Sequence, residues 1–207
     1  MDLNETINLI VKGHVLITDI TDKDNQVTVL DKSNAIHPEN FSIAVAFALA
    51  NGGRNRQSEG DLGLIKFMAF GSGGSTVNSG SGKITYLRPN ISSSTSSLYH
   101  QTYQKLVDSN DPLMDDEADR DTNNIEVNHI TGNLFTDLII TCTLGASEPS
   151  FQPLLDNSSE TDQDFVFDEL GLIDSAGNLI THLIFHPIQK STNRILQIKY
   201  SLRIQVV

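Results

Sequence analysis

From Ile195 onward the chain alternates strictly. Ile195, Gln197, Lys199, Ser201 and Arg203 fall on one parity, and Leu196, Ile198, Tyr200, Leu202 and Ile204 on the other. A period of two with one parity apolar marks a β-strand that buries one face. The pattern recurs upstream. Thr6–Ile20 alternates over part of its length, with Gly13 at its centre predicting a bulge or a close backbone approach. The polar stretch 21–26 (TDKDNQ) then reads as a turn, and Val27–Leu30 as the returning strand of a hairpin. Further strands are expected at Leu64–Phe70, Lys83–Leu87, Leu98–Val107, Ile125–Ile130 and Phe135–Leu144. Phe165–Ile173 is expected to pair with Leu179–His186 through the turn 174–178 (DSAGN).

Only one segment has helical spacing. His37-Pro38-Glu39 opens it, with proline early and an acid in the first turn. Phe41, Val45 and Leu49 then supply an apolar face for a sheet, and Asn51-Gly52-Gly53 closes it. The expected architecture is therefore mainly β: a single domain over residues 1–207, a β-sandwich or barrel-like fold with one short helix (about 38–51). Long polar loops are expected at 71–82, 108–124 and 145–164.

Charge narrows the class of partner. The 207 residues carry a formal net charge of −12, which disfavours phosphate backbones and hence nucleic acid. Lys190, Arg194, Lys199 and Arg203 are the only candidates for a basic patch, and they read as strand surface. The one cysteine, Cys142, lies in the apolar run LIITCTL and reads as a buried, inert thiol. The opening MDLNETINLI lacks the features of a signal peptide, and no apolar run reaches the length of a membrane span, so no membrane partner is expected.

The glycine-rich stretch Phe67–Leu87 poses the main chemical question. A phosphate-binding loop needs G-x-x-x-x-G-K-[ST] between a strand and a helix. Here Gly82-Lys83 is followed by Ile84, Val77 stands where the first glycine belongs, and a strand follows. The stretch is read instead as a connector between strands, with Gly71, Gly73 and Gly74 supplying its backbone freedom. His182 and His186 would share a strand face and, with His129 or an acid of Asp168-Glu169, could hold a metal; two satisfied histidines near a sheet surface are the favoured reading. The excursion Asp108–Asn124 holds seven acids but no calcium-loop register. It reads as a solvated charge run. No catalytic residues, metal ligands or cofactor are assigned.

Several segments together carry a resemblance. They are Val29–His37, Met68–Thr76, Ile84–Asn90, Leu98–Tyr103, Gly132–Asp137, Phe165–Leu172 and Leu179–Pro187. The series resembles a family of virion structural proteins of large contractile-tailed bacteriophages. The resemblance implies a non-enzymatic assembly component of the tail, neck, collar or baseplate, present as a ring-like homo-oligomer that contacts other phage structural proteins. It implies localisation in the virion after assembly in the bacterial cytoplasm. A capsid-surface decoration protein is the alternative, and a metal- or carbohydrate-binding module or enzyme a more distant one. Under this reading the expected subunit contacts are Gly71, Gly73, Gly74, Asp115, Asp116, Glu117 and Phe151, on the three long loops.

Overall fold

The computed structural model describes residues 9–49, 65–77, 80–92, 97–109, 114, 117–146, 148–149 and 165–206. Among these the chain is mainly β, as its alternation requires. The elements are β1 (Leu9–Asp19), β2 (Val27–Ile36), α1 (Pro38–Leu49), β3 (Ile65–Gly71), β4 (Ser75–Val77), β5 (Ile84–Tyr86), β6 (Gln101–Leu106), α2 (Glu117–Thr122), β7 (Asn124–Asn128), β8 (Phe135–Leu144), β9 (Phe165–Asp174), β10 (Leu179–Lys190) and β11 (Leu196–Val206). Nine strands form one antiparallel sheet in the order β6-β3-β9-β10-β2-β1-β11-β8-β7, and β4 and β5 form a separate hairpin.

β2 makes the sheet curl. From Val27 to Asn34 it pairs with β1, while Ala35 and Ile36 pair with His182 and Thr181 of β10. The change of partner within one strand bends the sheet into a half-barrel with two arms. Their inner faces share one core. Val15, Ile17, Ile198, Tyr200 and Cys142 come from one arm, and Met68, Phe70, Leu170, Leu172 and Leu183 from the other. Phe70 packs its ring 5.2 Å from that of Phe167 and 6.2 Å from that of Tyr103. The expected β1–β2 and β9–β10 hairpins both form. Gly13 marks a close approach: a side chain there would overlap that of Asn34, whose amide donates to the Tyr200 hydroxyl. The register irregularity lies elsewhere, between Ile17 and Thr18.

The arm β6-β3-β9-β10 is covered on its outer face as well. Ala69, Leu98, Ile173 and Leu179 form a second, smaller core there. β9 is consequently buried from Phe167 to Asp174, acids included.

α1 begins as its sequence dictates. Pro38 is its first residue, and the preceding His37 is buried, its Nδ1 accepting a 3.2 Å hydrogen bond from the Asn40 amide. The Asn40 side chain donates to the Leu179 carbonyl at 2.8 Å and ties the helix to β10. Ala44 is buried and Phe41 packs against the core. The glycines expected to close the helix lie outside the described residues.

Two expectations need correction. The acidic excursion is not merely a solvated run. It contains a second helix, α2, and the adjoining Asn123 is fully buried. The Asn123 side chain donates to the Asp119 carbonyl at 3.0 Å, and its Oδ1 accepts from the Thr143 amide at 2.8 Å, so the segment is docked on β8. Lys190, expected on the strand surface, is fully buried, with Nζ donating to the Ser191 carbonyl at 3.0 Å. Burial pushes its ammonium below the usual lysine range.

Candidate functional site

The glycine-rich stretch does cradle an anion, and the anion belongs to the protein. β3 ends at Gly71 beside Glu169 of β9, and the chain then turns across the end of the sheet. The Gly73 amide donates to Glu169 Oε1 at 3.0 Å. The Gly74 and Ser75 amides donate to Asp168 Oδ1 and Oδ2, each at 2.8 Å, and the Ser75 hydroxyl adds a 2.5 Å bond to Oδ2. Successive backbone N–H groups of this kind form the anion-binding nest that phosphate loops use. Here two carboxylates fill it from within the fold.

Glu169 gathers a second segment. Its Oε1 accepts from the His100 amide at 2.7 Å, and its Oε2 from the Tyr99 amide at 2.9 Å. Oε2 also meets His182 Nε2 at 3.0 Å, with both side chains fully buried. The Asn90 amide donates to His182 Nδ1 at 2.8 Å, so Nδ1 is the acceptor and Nε2 carries the proton given to Glu169. Tyr99 closes over the histidine, its ring 5.7 Å away, and its hydroxyl donates to the Arg88 carbonyl at 2.8 Å. Burial alone would raise the Glu169 pKa. The hydrogen bonds from His182, His100, Tyr99 and Gly73 outweigh it and hold the carboxyl below its ordinary value.

These contacts explain the glycines. A Cβ at Gly71 would stand 2.5 Å from Glu169 Oε1, and one at Gly74 would stand 2.8 Å from the Asp168 carbonyl oxygen. Close approach, more than flexibility, requires glycine here. The expectation of a connector between strands holds, but the connector is anchored. Gly71 and Gly74 are buried and Gly73 is half-buried. The three glycines expected as subunit contacts serve, within the subunit, to seat the turn on Asp168 and Glu169. Glu117, the first residue of α2, is exposed; Asp115, Asp116 and Phe151 lie outside the described residues.

The histidines part company. His182 is fully buried, whereas His186 is exposed and hydrogen-bonded through Nδ1 to the Tyr86 hydroxyl at 2.9 Å. His129 sits after β7 at the far end of the sheet order, near Thr136 Oγ1 at 3.0 Å. Among the described residues no three His, Cys, Asp or Glu side chains gather as metal ligands. The basic residues are dispersed too: Arg194 pairs with Asp19 at 2.5 Å, and Arg203 with Asp137 at 2.7 Å.

A second ionic cluster joins the two arms. Lys105 of β6 meets Glu148 at 2.6 Å and Asp119 of α2 at 3.4 Å. Burial would depress the lysine, but the two carboxylates outweigh it and raise its pKa. Nearby Cys142 is fully buried, and desolvation drives its thiol far above the usual range, which makes it unreactive.

Sequence reasoning named Asp168, Glu169 and His182 only as possible metal ligands. It missed their role as anchors, along with Ser75, Asn90 and Tyr99. The available signal was two acids inside an otherwise apolar strand (FVFDELGLI), an arrangement that demands donors from elsewhere in the chain. No family model matches the chain, nor does any curated protein or solved structure.

Proposed function

We propose that this protein is a structural component of a contractile-tailed bacteriophage virion, belonging to the tail, neck, collar or baseplate. It works by contact and has no reaction to perform. It associates with copies of itself in a ring and with other virion proteins, and it is assembled in the bacterial cytoplasm. The sequence resemblance suggests the class. The observation that carries the reading is the state of Asp168, Glu169 and His182. The residues best suited to acid–base chemistry are spent on holding the backbone amides of Gly73, Gly74 and Ser75 and of Asn90, Tyr99 and His100. Such an arrangement favours a rigid display surface over a reactive cleft.

Immunogold electron microscopy of intact phage particles from the source tests this. Label at the tail tip identifies a baseplate or fibre-attachment part, and label at the head–tail junction a neck or collar part. Label over the whole capsid would replace the reading with a decoration protein. Absence of label from particles that expose the epitope would reject virion membership.

A further inference from the structure

Residues 87–92 and 97–100 are held on the sheet by two acceptors that differ in chemistry. The Tyr99 and His100 amides donate to Glu169, a carboxylate with several lone pairs to share. The Asn90 amide donates at 2.8 Å to His182 Nδ1, whose single lone pair is also where a neutral imidazole takes its proton. The Asn90 hydrogen bond and a proton therefore compete for one site. With both present, two N–H groups would point at each other across 2.8 Å, which is no hydrogen bond.

The surroundings receive an imidazolium well once residue 90 has moved. β10 lies between β9 and β2. From β9, Glu169 meets His182 Nε2 at 3.0 Å, and its hydrogen bonds keep it ionised below the ordinary carboxylate range. A protonated His182 thus gains a buried anion on its far nitrogen. Asp168 is turned to the Gly74 and Ser75 amides. β2 sets Ala35 opposite His182. Lys32 of β2 donates to the Ile184 carbonyl, but it is exposed and its charge is screened. The His37 amide donates to the Ile180 carbonyl. From residues 97–100, Tyr99 places its ring 5.7 Å away, and the His100 ring turns to the Ser72 hydroxyl. Arg88 is exposed, and His186, further along β10, bonds the Tyr86 hydroxyl.

We propose that His182 is a proton-operated latch on residues 89–92. Neutral, it holds the Asn90 amide. With a proton on Nδ1 it lets residue 90 go, while Nε2 keeps its bond to Glu169, and Glu169 keeps Tyr99 and His100. Release is one-ended. The Leu87 amide stays on the Gly74 carbonyl and the Arg88 carbonyl on the Tyr99 hydroxyl, so the moving part begins at Pro89. Pro89, Asn90 and Ile91 are only half-buried, and their departure uncovers the imidazole without opening the core. Imidazole is the side chain that ordinarily changes charge between about pH 5 and 8. The closed form has no room for the proton, so closure is favoured at high pH and lost as pH falls. One proton is taken up, so below the transition the closed-to-open ratio falls about tenfold per pH unit. The latch is independent of whether the chain is a virion part.

NMR of the isotope-labelled full chain between about pH 8 and about pH 5 reads both halves of the proposal. The ring nitrogen shifts of His182 are expected to show Nδ1 bare at the upper end and protonated at the lower. Hydrogen exchange, corrected for its intrinsic pH dependence, is expected to show protection at Asn90 falling about tenfold per pH unit beyond that transition. Tyr99 and His100 stay protected. His182→Asn sets a side-chain oxygen near the Nδ1 position and is expected to keep Asn90 protected at every pH. His186→Gln is expected to leave the response of Asn90 unchanged. An imidazole that stays neutral throughout overturns the proposal, as does a protonated His182 beside a still-protected Asn90. Joint loss of protection at Asn90, Tyr99 and His100 also overturns it, because acid would then be loosening the whole region. So does a response abolished by His186→Gln, which would place the switch on the other histidine. If His182→Asn fails to fold, the wild-type shifts and exchange rates decide by themselves.

Discussion

Glu169 accepts four hydrogen bonds from three separate segments, at Gly73, Tyr99, His100 and His182. Losing its charge should therefore be felt widely. Glu169→Gln is expected to destabilise the fold by about 2–4 kcal/mol, measured by urea unfolding, because an amide nitrogen would face N–H donors. The pH dependence has a definite sign. The native pKa lies below the ordinary 4.5, so the contribution is complete above about pH 4.5 and is lost as pH falls through the lowered native value. The variant should lack that component of acid destabilisation, and unfolding curves of both proteins across this window check it. Gly74→Ala is a steric test of the same site. Its Cβ would crowd the Asp168 carbonyl at 2.8 Å and Ile184 Cγ2 at 3.0 Å, for a cost of about 1–3 kcal/mol in the same assay.

Among the elements, long strands were legible and short docked pieces were not. β11 and the β1–β2 hairpin announce themselves because alternation leaves one face to bury, whereas the β9–β10 hairpin is marked by its turn at 174–178 between two apolar runs. α2 is six residues long and has no buried residue, so its own sequence offers no periodic signal. It is held by its neighbour Asn123. Asn123→Ala removes the acceptor of the half-buried Thr143 amide and is expected to cost about 1–3 kcal/mol, with faster hydrogen exchange at Thr143 as the local readout. The anchored turn was half legible. Its glycines and serines mark a connector, but the carboxylates that fill it lie 94 positions along the chain from Gly74. Only the tertiary fold brings donors and acceptors together. The acids inside β9 were visible as an anomaly, but Asn90, Tyr99 and His100, which satisfy Glu169 and His182, were not, because they donate through backbone amides, which no side-chain pattern encodes.

On the scale of the molecule, the sheet interleaves distant parts of the chain. β11 lies between β1 and β8, paired to both over nearly its whole length, and β2 belongs to both arms. The arms therefore cannot separate into independent units, and the Lys105, Asp119 and Glu148 cluster ties them a second time. The position of β11 has a consequence for synthesis. A ribosome delivers β1 first, yet the strand that must sit between β1 and β8 is made only when Leu196–Val206 is translated. Until then β1 and β8 each keep one unpaired edge, a template for the wrong neighbour. Such long-range pairing is slow to form. Stalled nascent chains ending before Leu196 should be cleaved readily within β1 and β8, and chains with Val206 clear of the exit tunnel should resist protease. Equal protease resistance of both would show that the earlier strands close without β11. Closure of this sheet thus waits for translation of Leu196–Val206, and until then copies made on one messenger meet with those edges open.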